Sequence, residues 1–135
     1  MWFVEREEDA PSPFENGSGR FQVEFGAGRV DSVRRMSERE SRVEALRDAV
    51  FESDGVTDRA ARAAAATGVG QLPPELASYL AKVREESYRI TDADVDGLRA
   101  AGHGEEEIFE LTVAAALGAA LGRRDAGLRA LRGEA

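Results

Sequence analysis

The chain has 135 residues, 42% hydrophobic and 33% charged, with 26 acidic against 18 basic residues and a net charge of −8. That length fits about one domain with a sizeable core, and the composition is too apolar for a disordered chain. The acidic balance argues against nucleic-acid or anionic-membrane partners, which are held by clustered Lys and Arg, and the lack of cysteine excludes disulfides, thiolate metal sites and cysteine nucleophiles.

A cysteine-free composition fits a cytoplasmic protein. Lys82 is the only lysine, so nearly all the positive charge is guanidinium and does not titrate. The longest apolar run, Leu111 to Leu121, is about half of the roughly 20 residues a membrane span needs. No basic start followed by an apolar stretch opens the chain, so no secretion signal is expected.

Residues 1–36 differ in character from the rest. They hold Trp2, Phe3, Phe14, Phe21 and Phe25, the prolines Pro11 and Pro13, and a Gly17-Ser18-Gly19 turn signal. Phe21-Gln22-Val23-Glu24-Phe25 alternates like a short strand, although a strand without a partner is marginal. Two readings of this irregular arm stand side by side. Met36 is the start and the preceding residues are an extension, or the arm docks its aromatics on a partner.

From residue 37 to 135 the signals are helical. Ser37-Glu38-Arg39-Glu40 reads as a capping box that opens a helix. Val43, Leu46 and Val50 recur along it at helical spacing, and Asp54-Gly55 ends the run. Thr57-Asp58 opens a second helix through the alanines to Thr67, closed by Gly68. The prolines of Gln71-Leu72-Pro73-Pro74 suit a first helical turn, and a third helix to Arg89 carries Leu76, Tyr79, Leu80 and Val83 on one face. Tyr79 and Tyr88 are expected to pack in the core or at an interface. Thr91 caps a fourth helix, with Asp92 and Asp94 at its positive end, Val95 and Leu98 facing inward, and Gly102 as its stop. Glu105-Glu106-Glu107 starts a fifth, running to about Leu121 with Ile108, Leu111, Ala115 and Ala119 inward. A short amphipathic turn follows near Asp125 to Leu131.

The stretch Thr91-Asp92-Ala93-Asp94-Val95-Asp96-Gly97-Leu98-Arg99-Ala100-Ala101-Gly102, continued by His103-Gly104-Glu105-Glu106-Glu107-Ile108-Phe109-Glu110-Leu111, resembles the C-terminal half of alkylhydroperoxidase-like and carboxymuconolactone decarboxylase-like proteins. There a T-D-x-D-V-x-x-L-R-x-x-G helix precedes an acidic helix start and an Ala-rich helix. Arg123 falls where that family often keeps an arginine. The resemblance spans about residues 73–131 and implies an all-α, small orthogonal or antiparallel domain of about five helices. It also implies assembly into a homo-oligomer. The family's peroxidase branch carries Cys-x-x-Cys with a nearby His and Glu on an upstream helix. Here Arg59 to Thr67 has no Cys, His or Glu. The resemblance therefore implies the fold without thiol peroxidase activity, in a non-enzymatic or partner-dependent protein that needs no cofactor and whose small-molecule ligand, if any, is not written in the sequence. An acid–base enzyme of the decarboxylase type is the alternative.

The candidate catalytic residues are His103, Glu107, Glu110 and Arg123. His103, Glu107 and Glu110 stand at helical spacings, which suggests an acid–base pair or metal ligands, while acidic residues at a helix start need no ligand to explain them. Arg123 could clamp a carboxylate through two parallel hydrogen bonds. Asp92, Asp94 and Asp96, followed by Gly97, match the opening of an EF-hand calcium loop. Position 12, which should supply a bidentate Glu, is His103, and helix-start charge accounts for the aspartates without a metal. Along the Ala-rich helix, Ala114, Gly118 and Gly122 recur every fourth residue, a row low enough for another helix to approach.

Overall fold

Residues 25–134 are described by a computed structural model. Their elements are α1 (Phe25–Arg47), α2 (Arg59–Thr67), α3 (Pro74–Glu86), α4 (Asp92–Ala100) and α5 (Glu105–Leu131). Among the described residues there are five helices and no strand, so the all-α expectation holds. The chain divides into two units between Arg35 and Met36, and the second, Met36–Ala135, contains the core.

α1 starts twelve residues earlier than its capping signal suggests. Residues 25–36, expected to be irregular, are helical, and Ser37 lies inside the helix rather than at its start. Of the short strand expected at 21–25, residues 21–24 lie outside the described residues and Phe25 opens α1. Asp31 and Arg35 pair at 2.9 Å across one turn, acid before base, which suits the helix dipole. Leu46, expected inward, is exposed, while Val43 and Val50 are half-buried. Beyond Arg47 the helix widens into one π-helical turn, Asp48–Glu52, closed by the Ser53 N–H on the Asp48 carbonyl.

The short α2 is capped at both ends as its sequence predicts. The Asp58 carboxylate accepts from the Ala61 N–H, and Gly68 takes a left-handed φ of 76° that turns its N–H onto the Ala64 carbonyl. α3 begins on Pro74 and tightens into a 3₁₀ turn at Ser87–Arg89. Its Leu76, Tyr79, Leu80 and Val83 are all buried, as their spacing predicts. Tyr88 is 83% exposed and stands outside the core.

α5 is one continuous helix of 27 residues, where sequence signals suggested a break after Leu121. It is the element on which α2 and α3 both pack, and α4 touches it near its start. The core joins Ala65 of α2, the four apolar residues of α3 and Leu98 of α4 to Ile108, Leu111, Ala114 and Ala115 of α5. Burying a leucine such as Leu80 or Leu111 contributes about 1.5–3 kcal/mol. The α2–α5 contact is alanine on alanine and very close. A Cβ placed on Gly118 would lie 2.5 Å from the Ala66 carbonyl oxygen, so the small-residue row of α5 is used inside the subunit at Gly118, while Gly122 stands open.

Candidate functional site

The candidate residues do not converge on one site. They fall into four separate clusters, each joining elements of the fold.

His103 sits just past α4, where Gly102 adopts φ 99° and the His103 N–H closes on the Leu98 carbonyl. Its imidazole lies between two first-turn carboxylates. Nε2 is 2.9 Å from Glu75 at the start of α3, and Nδ1 is 3.2 Å from Glu107 at the start of α5. The side chain is only 12% exposed. The hydrogen bond to Glu75, helped by Glu107 and opposed by partial burial, raises the histidine pKa above its ordinary value. The same bond from His103 holds Glu75 below the usual glutamate value. With both nitrogens on carboxylates, this ring favours the imidazolium and has no free lone pair for a base.

Glu110, grouped with His103 by spacing, belongs elsewhere. Its carboxylate accepts the N–H groups of Val56 and Thr57, each at 2.9 Å, and the Thr57 hydroxyl at 2.6 Å. The Thr57 hydrogen bonds, its hydroxyl's first, hold the Glu110 pKa below the usual range. Behind it stands Arg62, only 3% exposed, with Nη1 3.8 Å from Glu110. Arg62 Nη1 donates to the Thr57 carbonyl at 2.5 Å, and Nη2 donates to the Ser53 carbonyl at 2.6 Å and more weakly to Phe51 at 3.4 Å. These carbonyls lie at the end of the π-helical turn and in the loop after it, where the backbone has run out of helical donors. Arg62 supplies them, and Glu110 supplies the matching acceptors. Gly55 leaves the room, since a Cβ there would lie 2.6 Å from a Glu110 oxygen. Arg62 is the residue that sequence reasoning passed over. Its one signal was a charged position three residues before the inward Ala65 on an alanine helix.

Arg123 is engaged within the fold. Its Nη2 donates to the Arg84 carbonyl at 2.6 Å in the last turn of α3, and Arg84 Nη1 donates to the Ala65 carbonyl at 2.6 Å near the end of α2. Two guanidiniums thus cap two helix C-termini in series.

The aspartates are helical, which corrects the calcium-loop match. α4 begins at Asp92, so Asp92, Asp94 and Asp96 lie on a helix and cannot wrap an ion as a loop does. Asp94 accepts the Thr91 N–H at 2.7 Å and Lys82 Nζ at 2.7 and 2.9 Å. Lys82, then the Thr91 backbone, lowers its pKa. Asp96 pairs with Arg99 at 3.0 Å. Among the described residues no group of three or more His, Asp or Glu side chains could hold a metal ion.

Comparison of the chain with protein-family models, with curated proteins and with solved structures finds no match.

A groove of about 770 Å³ opens beside the start of α5, between Val56–Asp58, Leu72–Pro73 and Glu105–Glu107, with Leu76 and Leu111 at its floor. Neither His103 nor Arg123 lines it. Among the described residues no helix is long and apolar enough to cross a membrane.

Proposed function

We propose that the chain is a helical domain of the alkylhydroperoxidase/carboxymuconolactone decarboxylase-like kind that has no catalytic site of its own and works by association, with itself or with a partner protein. One observation carries this reading. The residues the sequence offers for acid–base chemistry are each engaged in joining helices: His103 between Glu75 and Glu107, Glu110 on the Thr57 loop, Arg123 on the end of α3. A carboxyl serves as a general acid at neutral pH only with a raised pKa, and Glu75 and Glu110 are shifted the other way, while both nitrogens of His103 are held by Glu75 and Glu107. The lack of cysteine removes thiol-coupled peroxide reduction, and the same composition supports a cytoplasmic setting.

The test is direct assay of both chemistries of the resembled family. The purified protein is given a peroxide with a thiol reductant, and separately a carboxymuconolactone. Neither is expected to turn over faster than with heat-inactivated protein. Turnover that scales with protein concentration and disappears in His103→Gln or Arg123→Gln would overturn the reading.

A further inference from the structure

Between the C-terminal half of α1 and the last turns of α5 runs a groove of about 490 Å³ whose two walls carry opposite charge. The α1 wall presents Glu40 and Glu44; the α5 wall presents Arg129 and Arg132; Val43 and Leu128 form the apolar floor. Arg124 on the α5 side is engaged by its neighbour Asp125 at 3.2 Å. No ion pair among the described residues crosses the groove, and Glu40, Glu44, Arg129 and Arg132 are all exposed. Leu131, three residues after Leu128 on α5, is 86% exposed, and Met36 and Leu46 of α1 are also open to solvent.

We infer that this groove is the contact surface for a second copy of the chain, related by a two-fold axis. A two-fold interface uses the same patch on both subunits, so the patch must complement itself. A surface of one sign repels its own copy. A groove with one acidic and one basic wall instead lays its acidic wall on the partner's basic wall, twice, and closes the apolar floors against each other. The pairing gives register and orientation, and the buried leucines and valines give adhesion. The small-residue row of α5 is not this surface, because Gly118 is already against Ala66. The inference rests on the reading of the chain as an associating domain, and names where that association occurs.

The experiment uses the full chain and light scattering coupled to size exclusion at micromolar concentration. The expected mass is twice the 14.6 kDa of one chain. Glu40→Arg with Glu44→Arg makes both walls basic, and Arg129→Glu with Arg132→Glu makes both acidic. Each variant should keep the wild-type helical circular dichroism and weaken self-association by about a hundredfold or more. Mixing the two should restore a dimer, since the basic-walled copy then meets the acidic-walled one. A change confined within one chain could not produce that rescue. A monomeric wild type would overturn the association reading itself. A dimer that survives in both variants, or an assembly larger than two, would overturn the groove and its two-fold arrangement while leaving association standing. If charge reversal unfolds the chain, Glu44→Gln with Arg129→Gln is read instead, where loss of the dimer supports the groove and its retention overturns it.

Discussion

Two glycines on the same helix should respond to the same substitution with opposite sign. Both Gly118 and Gly122 lie inside α5, where replacing glycine by alanine gains about 0.8–1 kcal/mol of helix propensity. At Gly122 nothing lies within 4 Å of the new methyl, so that gain is kept. At Gly118 the methyl would lie 2.5 Å from the Ala66 carbonyl oxygen and 2.7 Å from its Cα and Cβ. Main-chain atoms cannot rotate aside, so α2 must move off α5, and overpacking of this kind costs about 1–3 kcal/mol. The net for Gly118→Ala is a loss of up to about 2 kcal/mol. In a domain of about 100 residues each kcal/mol moves Tm by about 4–8 °C. Thermal melts followed by far-UV circular dichroism should therefore show Gly122→Ala a few degrees above wild type and Gly118→Ala below it, by up to about 15 °C. Equal stabilisation of both variants would refute the close α2–α5 approach. A Gly118→Ala protein that keeps its Tm but dissociates would show that the small-residue row faces a second copy instead.

Removing Arg62 should be the most damaging single change of a charged residue. Arg62→Met keeps the apolar stem but leaves the Ser53 and Thr57 carbonyls without the guanidinium, while Glu110 keeps its hydrogen bonds from Val56 and Thr57, a loss of about 1–3 kcal/mol in equilibrium denaturation. A loss under about 1 kcal/mol would mean that water replaces the guanidinium. The His103 clasp is expected to depend on pH. Its pKa is raised on folding, so its contribution is full below the ordinary imidazole value of 6.5 and fades as pH rises through the folded value. Glu75 is lowered, so its share is present above 4.5 and is lost in more acid solution. The Tm difference between wild type and His103→Gln should thus peak between those two values, and a difference that grows toward alkaline pH would contradict the geometry.

Much of the fold was legible because local signals and burial agreed. The caps at Asp58, Gly68 and Thr91 and the buried face of α3 lie where residue type alone places them. Two boundaries were misread for the same physical reason. Ser37-x-x-Glu40 can cap only a chain that is non-helical at Ser37, and the preceding arginines and Asp31 already hold it helical. Gly122 follows the expected end at Leu121, yet about 1 kcal/mol does not break a helix that is already long and packed along its first half. A local motif states what a residue could do at an end. It does not create the end.

The charged residues were legible in number but not in role, and the cause lies in what satisfies them. His103, Glu107 and Glu110 share a helical spacing, but spacing places only the near half of each interaction. The far halves come from Glu75, 28 residues from His103, and from the Thr57 loop, 53 residues from Glu110. Arg62 is a stronger case, since its acceptors are backbone carbonyls that any sequence would supply and no residue code marks. Their exposure is left by a π-helical turn whose hydrogen bonding the side chains do not announce. The same reasoning explains why the α1–α5 groove stands out only in three dimensions. Glu40 and Glu44 read as an ordinary solvated face, as do Arg129 and Arg132, until the fold sets one pair across from the other with no ion pair between them. Charges that a fold brings opposite each other but does not join ask for a second surface, and the surface with the matching pattern is the same groove turned through half a circle.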